Sequence, residues 1–336
     1  MRRLHCSRCG QRVFFENTRC DACDAVLGFV PDELAMVSFE AVDDDDWRRL
    51  GPAGAAQRPC ANYVGERVCN WTVPVGSAST LCLCCGTTQL RPDLDRPETR
   101  TRWAALEQAK RRLFYGLRVL GLPTDGLSFR FVDGEGSSEP VLTGHDHGVI
   151  TINMAEADDA SREQMRARMN EPYRTLLGHF RHESGHHFWD RLIAPTPWLD
   201  EYRLLFGDER LDYGQALERH YAEPVADWSQ SFISAYASSH PWEDWAECWA
   251  HYLHILDGLE TAAAWGFRLE GGVAPCPLDH LQSLAPALIK QWLPVSQFVN
   301  AMDRSLGMAD SYPFTVPTAV VEKLEFVHRV VASSRL

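Results

Sequence analysis

The sequence predicts an α+β protein, mainly helical, behind a small cysteine-rich module, and three observations carry that expectation. Nine of the eleven cysteines fall before residue 86. Two short β-rich stretches, 127–132 and 148–153, are flanked by glycine and acidic residues. Beyond them apolar residues recur at helical spacing, with prolines and glycines between the runs. A few strands followed by many helices is the α+β pattern. A hydrophobic share of 45% over 336 residues is enough for a sizeable core.

The first element is a pair of knuckles, Cys6-x-x-Cys9 and Cys20-x-x-Cys23, ten residues apart, with Val13-Phe14-Phe15 as a hairpin strand between them. Each knuckle offers two thiolates to one tetrahedral zinc, so residues 1–40 read as a zinc ribbon. A redox pair needs only one such dipeptide spacing. Asp43-Asp44-Asp45-Asp46 and the Gly51–Ala56 stretch read as a solvated connector. Cys60, Cys69, Cys82 and Cys85 then form a second set of four, ending in a CxxC knuckle, so 41–95 reads as a linker followed by a second structural zinc segment. Cys84 could replace Cys82 or Cys85, but CxxC geometry favours leaving it out. One to two structural zinc ions follow from these sets.

Residues 96–336 form the body. Ala104, Leu106, Leu113, Leu117 and Leu120 suit an amphipathic helix over 103–120. Strands follow at 127–132 and 148–153. Asn170 as N-cap and Pro172 near the first turn open a helix that runs to about Leu192, ended by Pro195 and Pro197. Further helices are expected near 211–220, 225–238, 242–256, 280–292 and 317–331.

Charge and hydropathy exclude several classes. The 33 basic and 46 acidic residues sum to −13, which disfavours nucleic acid as a partner. Of the basic residues only Lys110, Lys290 and Lys323 are lysines, a bias spread along the chain that reads as genome composition. No apolar run approaches the roughly 18 residues of a membrane span, and Met1-Arg2-Arg3 leads to Cys6 without a greasy signal core. A soluble cytoplasmic protein is expected.

His182-Glu183-Ser184-Gly185-His186 is an HExxH inside the helix expected there. Positions i and i+4 share a face, so both imidazoles aim at one metal ion, and Glu183 is placed to act as base. A hydrolytic centre also needs a third protein ligand and an open corner for water. The metzincin extension would need Gly at 189 and His at 192, where the chain has Trp189 and Leu192. Asp208 and Asp212 are open as ligands. Glu243 is better supported, because Pro241 begins a helix on which Glu243 and Glu247 lie one turn apart among Trp242, Trp245, Trp249 and Tyr252. One carboxylate can bind the metal while the other accepts the outward N–H of a ligating histidine. His251 is a ligand candidate should Glu243 not be one. His179, His187 and His254 read as packing residues or supports, and His145 and His147 as loop residues before the second strand.

HExxH followed by an E-x-x-x-E helix resembles the gluzincin metallopeptidases, particularly the lethal-factor-like branch. More closely, His179–Asp190 and His240–Glu247, behind paired zinc ribbons, are similar to bacterial zinc-binding metallopeptidases with an N-terminal zinc ribbon. The resemblance covers nearly the whole chain. It implies a zincin-like metallopeptidase domain over 96–336, one catalytic zinc on His182, His186 and Glu243, Glu183 as general base, and a peptide or protein substrate. In the lethal-factor-like branch a tyrosine upstream of the third ligand helps hold the oxyanion, and Tyr236 is the matching candidate. The 149–153 strand would then be the edge that pairs with an extended peptide. Two rival readings are a binding protein that recruits a partner through its ribbons on a structural zincin body, and a protease acting on DNA-bound protein. The intact Glu183 weighs against the first and the net charge against the second.

Overall fold

The structure, a computed structural model, describes residues 1–42, 47–134, 143–168, 174–269, 272, 274–275 and 281–334. Residues 43–46, Asn170, Pro172 and Cys276 lie outside the described residues. β1 (Leu4–His5) pairs antiparallel with β2 (Arg12–Val13), and each CxxC turn is followed by a residue in the left-handed region, Gly10 and Asp24 (φ 76° and 55°). The hairpin pairing is thus shorter than Val13-Phe14-Phe15 suggests, and Phe15 instead packs its ring on Phe29, Trp71 and Tyr115.

A three-stranded antiparallel sheet follows, β3 (Val26–Val30), β4 (Ala35–Ala41) and β5 (Trp47–Leu50), in that order. Its strands are short and bury nearly every side chain of β3, so period-2 alternation does not betray them. β6 (Gln57–Pro59), the single turn α1 (Ala61–Val64) and β7 (Thr72–Pro74) complete the cysteine-rich region. β8 (Thr88–Leu90) leaves it and joins the sheet of the body.

The body opens with α2 (Pro97–Val119), which begins on proline and buries Trp103, Leu106, Leu113, Phe114 and Leu117. β9 (Ser128–Val132), β10 (Gly144–Asp146) and β11 (Val149–Asn153) add to β8 in the order β10-β11-β9-β8. β11 lies inside this sheet, parallel to β9 and antiparallel to β10, so both of its edges are already paired. The strand expected to take an extended peptide is therefore closed, and among the described residues β10 is the edge on that side.

The helices are α3 (Asp159–Arg168), α4 (Leu176–Leu192), α5 (Trp198–Phe206), α6 (Tyr213–Ala222), α7 (Pro241–Ala264), α8 (Leu284–Ala287), α9 (Leu293–Ser305) and α10 (Thr318–Ser333). No helix among the described residues is long and apolar enough to cross a membrane. The main core runs from Leu4 to Val331 and includes the stacked pair Phe188 and Trp249 (4.6 Å) and the cluster of Tyr202, Phe206, Trp245 and Phe326, while Val30, Val37, Phe39 and Trp47 form a second, smaller cluster.

Three helix expectations change. α4 starts at Leu176, capped by Thr175, whose hydroxyl accepts the Gly178 N–H at 3.0 Å. The segment expected as a helix at 225–238 is instead irregular, with single 3₁₀ turns at Trp228–Gln230 and Tyr236–Ser238. Its polar groups are used by neighbours in place of a helical ladder: the Ser231 carbonyl accepts from Lys323 at 2.9 Å and the Ser234 hydroxyl serves α7. The helix expected at 280–292 begins only at Leu284 and continues through a wide π turn into α9.

Candidate metal centre

α4 and α7 pack closely where they cross at Gly185. A Cβ built there would lie 2.9 Å from the Ala246 Cα and 3.2 Å from the Trp249 Cβ, so only glycine lets α7 approach. Two indole hydrogen bonds weld the contact, Trp245 Nε1 to the Gly185 carbonyl (2.8 Å) and Trp249 Nε1 to the Ser184 hydroxyl (3.1 Å). α7 begins at Pro241 as the sequence suggests, with the His240 Nδ1 accepting the Trp242 N–H.

This packing brings His182, His186 and Glu243 together, one ligand atom of each within 4.8 Å of the others. Glu243 Oε2 stands 3.0 Å from His182 Nε2 and 3.6 Å from His186 Nε2. Oε2 is buried yet receives no hydrogen bond. Two imidazole nitrogens and a buried carboxylate oxygen that converge in this way fit a divalent cation. The donor set, two imidazoles and one carboxylate, suits zinc with a fourth position left open.

The supports are built in. Glu247 Oε1 lies 2.7 Å from His182 Nδ1, and Glu247 Oε2 accepts the Ser234 hydroxyl at 2.6 Å. The imidazole is thereby fixed with Nε2 toward the centre. Despite burial, which opposes ionisation, the His182 hydrogen bond holds the Glu247 carboxyl down at about 2. Burial disfavours the His182 cation, yet Glu243 and Glu247 together raise its pKa well above the usual imidazole range, the mark of a pocket that draws positive charge. His186 is clamped by the Trp242 ring, with centroids 3.8 Å apart.

Glu183 is buried on α4 and lines a cavity of about 290 Å³ beside the cluster, together with His182 and Tyr236. The Tyr236 ring lies 5.9 Å from that of His182, and burial followed by the nearby Glu243 carboxylate pushes its hydroxyl well above the ordinary range. The other candidates go elsewhere. Asp208 pairs with Arg210 at 2.7 Å, Asp212 caps α6, and His251 Nδ1 meets the Tyr312 hydroxyl at 3.0 Å. His145, on β10, stacks near His186 (6.1 Å), and burial lowers its pKa to about 4. Tyr213 was not anticipated: its hydroxyl donates to Glu243 Oε1 at 2.8 Å. It belongs to the same Asp208–Tyr213 stretch that offered the two aspartates, but a tyrosine has no spacing rule that marks it.

The cysteines form two further clusters, Cys6, Cys9, Cys20 and Cys23, and Cys60, Cys69, Cys82 and Cys85, each with its four sulfurs within 4.8 Å. In the second, backbone N–H groups of Trp71, Cys82 and Cys85 point at the sulfurs of Cys69, Cys60 and Cys82 (3.3, 3.3 and 3.4 Å), bonds that stabilise thiolates. Cys84 is buried outside this set. Desolvation is the main cost of burying Lys110 and Arg111 of α2, and the surrounding thiols with Glu107 more than offset it, so α2 supplies the countercharge to the cluster.

The fold and these clusters define a helical metallopeptidase-like domain preceded by a zinc-ribbon region. Residues 99–330 match the family described as "Putative zinc-binding metallo-peptidase", and residues 3–96 match a zinc-ribbon domain. The chain belongs to this metallopeptidase family. It is similar to Uncharacterized protein Mb2598c of Mycobacterium bovis and to Uncharacterized proteins MT2644 and Rv2568c of Mycobacterium tuberculosis, each 43% identical over 98% of this chain and 95% of the relative. No solved structure gives a significant match.

Proposed function

We propose that the protein is a zinc-dependent peptidase of gluzincin type, with His182, His186 and Glu243 as metal ligands and Glu183 as general base. The observation that carries this reading is the buried, hydrogen-bond-free Glu243 Oε2 facing two Nε2 atoms one turn apart on α4, with Glu183 beside them on the cavity wall. Zinc held there supplies Lewis acidity that polarises a peptide carbonyl and acidifies water. Glu183 takes the proton from the attacking water and passes it to the leaving amine, which needs a carboxylate next to the metal and no other titratable partner. Glu247 and Ser234 hold His182 in the tautomer that keeps Nε2 free to ligate. Tyr236, on the wall of the same cavity as Glu183, is the donor for the developing oxyanion.

The edge strand β10, with Thr143 at the cavity wall just before it, supplies backbone groups for an extended peptide. The two cysteine clusters are structural zinc sites, and the ribbons are available to a protein partner. A Glu183→Gln variant tests the reading. It should keep its metal content and lose cleavage of an unstructured protein such as casein. Equal cleavage by variant and parent would end the enzymatic reading.

A further inference from the structure

Tyr213 and the helix that carries it have no part in the reading above, yet they touch the centre. Tyr213 opens α6 directly after its cap Asp212, whose Oδ1 accepts the Gln215 N–H at 2.8 Å. Its hydroxyl donates to Glu243 Oε1 at 2.8 Å. Two residues before Tyr213, the Leu211 carbonyl accepts from His240 Nε2 at 3.1 Å, which pins the start of α6 to the start of α7. The Tyr213 ring lies 6.1 Å from Trp242, the residue that clamps His186.

Away from these contacts α6 is loosely held. Ala216 is its one buried residue, and among the described residues it makes no extensive contact with another helix or strand. Leu211, Tyr221 and Val225 are exposed. At its far end His220 and Tyr221 line the same cavity as Glu183. The chain enters this segment through Gly207, which has a φ of 106° and abuts Pro241. α6 therefore crosses the cleft, tied to the metal-binding carboxylate at one end and bordering the cavity at the other.

We propose that Tyr213 is a positioning residue for Glu243 and that α6 is a strap which holds it over the cleft. This rests on Glu243 being a metal ligand. The physical argument concerns the second carboxylate oxygen. Glu243 is almost wholly buried, so an Oε1 without a donor would turn toward the metal or toward water. With Oε1 engaged by the phenol, Oε2 alone faces the two imidazoles. Partners of this kind set metal affinity by about 10–100-fold.

The test uses the full chain and zinc itself. Competition with a chromophoric chelator reads the dissociation constant of the weakest zinc in the parent and in Tyr213→Phe, while hydrogen exchange follows residues 209–222. Tyr213→Phe should bind that zinc about 10–100-fold more weakly, with both cysteine sites unchanged and with faster exchange in α6 but not in α4 or α7. An unchanged zinc affinity in Tyr213→Phe overturns the proposal while the reading of Glu243 stands. A parent that binds no zinc beyond the cysteine sites overturns both. Should Tyr213→Phe fail to fold, the parent decides: zinc added to the third site should slow exchange in α6, and no change there counts against the strap.

Discussion

Gly185 is where the centre is most exposed to a small perturbation. Gly185→Ala adds one methyl group at a helix interior, a change that would stabilise an exposed helix by roughly 1 kcal/mol. Here the added Cβ would meet the Ala246 Cα at 2.9 Å, where ordinary contact begins near 3.4 Å. α7 must therefore move away from α4 by about 0.5 Å, and backbone, not a flexible side-chain end, has to give. That displacement falls on the distances that make the site, 3.0 Å from His182 Nε2 to Glu243 and 2.7 Å from His182 Nδ1 to Glu247. Overpacking should cost about 1–3 kcal/mol of stability. A shift of this order at a reacting centre costs up to roughly 10²-fold in rate. The assays are a urea melt, zinc titration of the third site and casein cleavage. A Gly185→Ala protein that is as stable as the parent and binds the third zinc equally well would refute the claim that close helix approach builds the site.

Three other outcomes follow from the same geometry. Glu247→Gln should weaken the third zinc by about 10–100-fold without changing the fold, read by chelator competition and circular dichroism. Lys323→Met strands the fully buried Asp244, now 2.6 Å from the ammonium, and should cost about 3–5 kcal/mol in a urea melt. Glu156 is bound by Arg174 (2.7 Å) and His179 (3.3 Å), and although burial opposes ionisation these partners hold its pKa at about 2 against an ordinary 4.5. A depressed folded pKa gives stability that is present above 4.5 and lost as pH falls through 2, so Glu156→Gln should cost about 3 kcal/mol at pH 7 and roughly 1 kcal/mol by pH 3. An equal cost at both pH values would contradict the linkage.

What the sequence made legible was set by rules with fixed spacing. HExxH places two imidazoles on one helical face, Pro241 starts α7, and CxxC turns make knuckles, so these groupings could be anticipated. The Glu243 and Glu247 pair was legible because two acids among four aromatics are out of place on a solvated helix. The three-stranded sheet β3–β5 was not, since buried two-sided strands lose their alternation. Residues 225–238 have helical apolar spacing, but Ser231 and Ser234 spend their hydrogen bonds on Lys323 and Glu247, which local pattern cannot foresee. β11 reads correctly as a strand, yet its place inside the sheet depends on β10, three residues long and without apolar alternation. Tyr213 meets Glu243 across thirty residues, through a turn and a loosely packed helix.

Zinc content measured by elemental analysis, for the parent and for His186→Ala, addresses the centre itself. Three ions per chain in the parent and two in the variant are expected, because among the described residues there are three ligand clusters and one of them includes imidazoles. Two ions in both proteins would mean that His182, His186 and Glu243 lie together for some reason other than holding a metal.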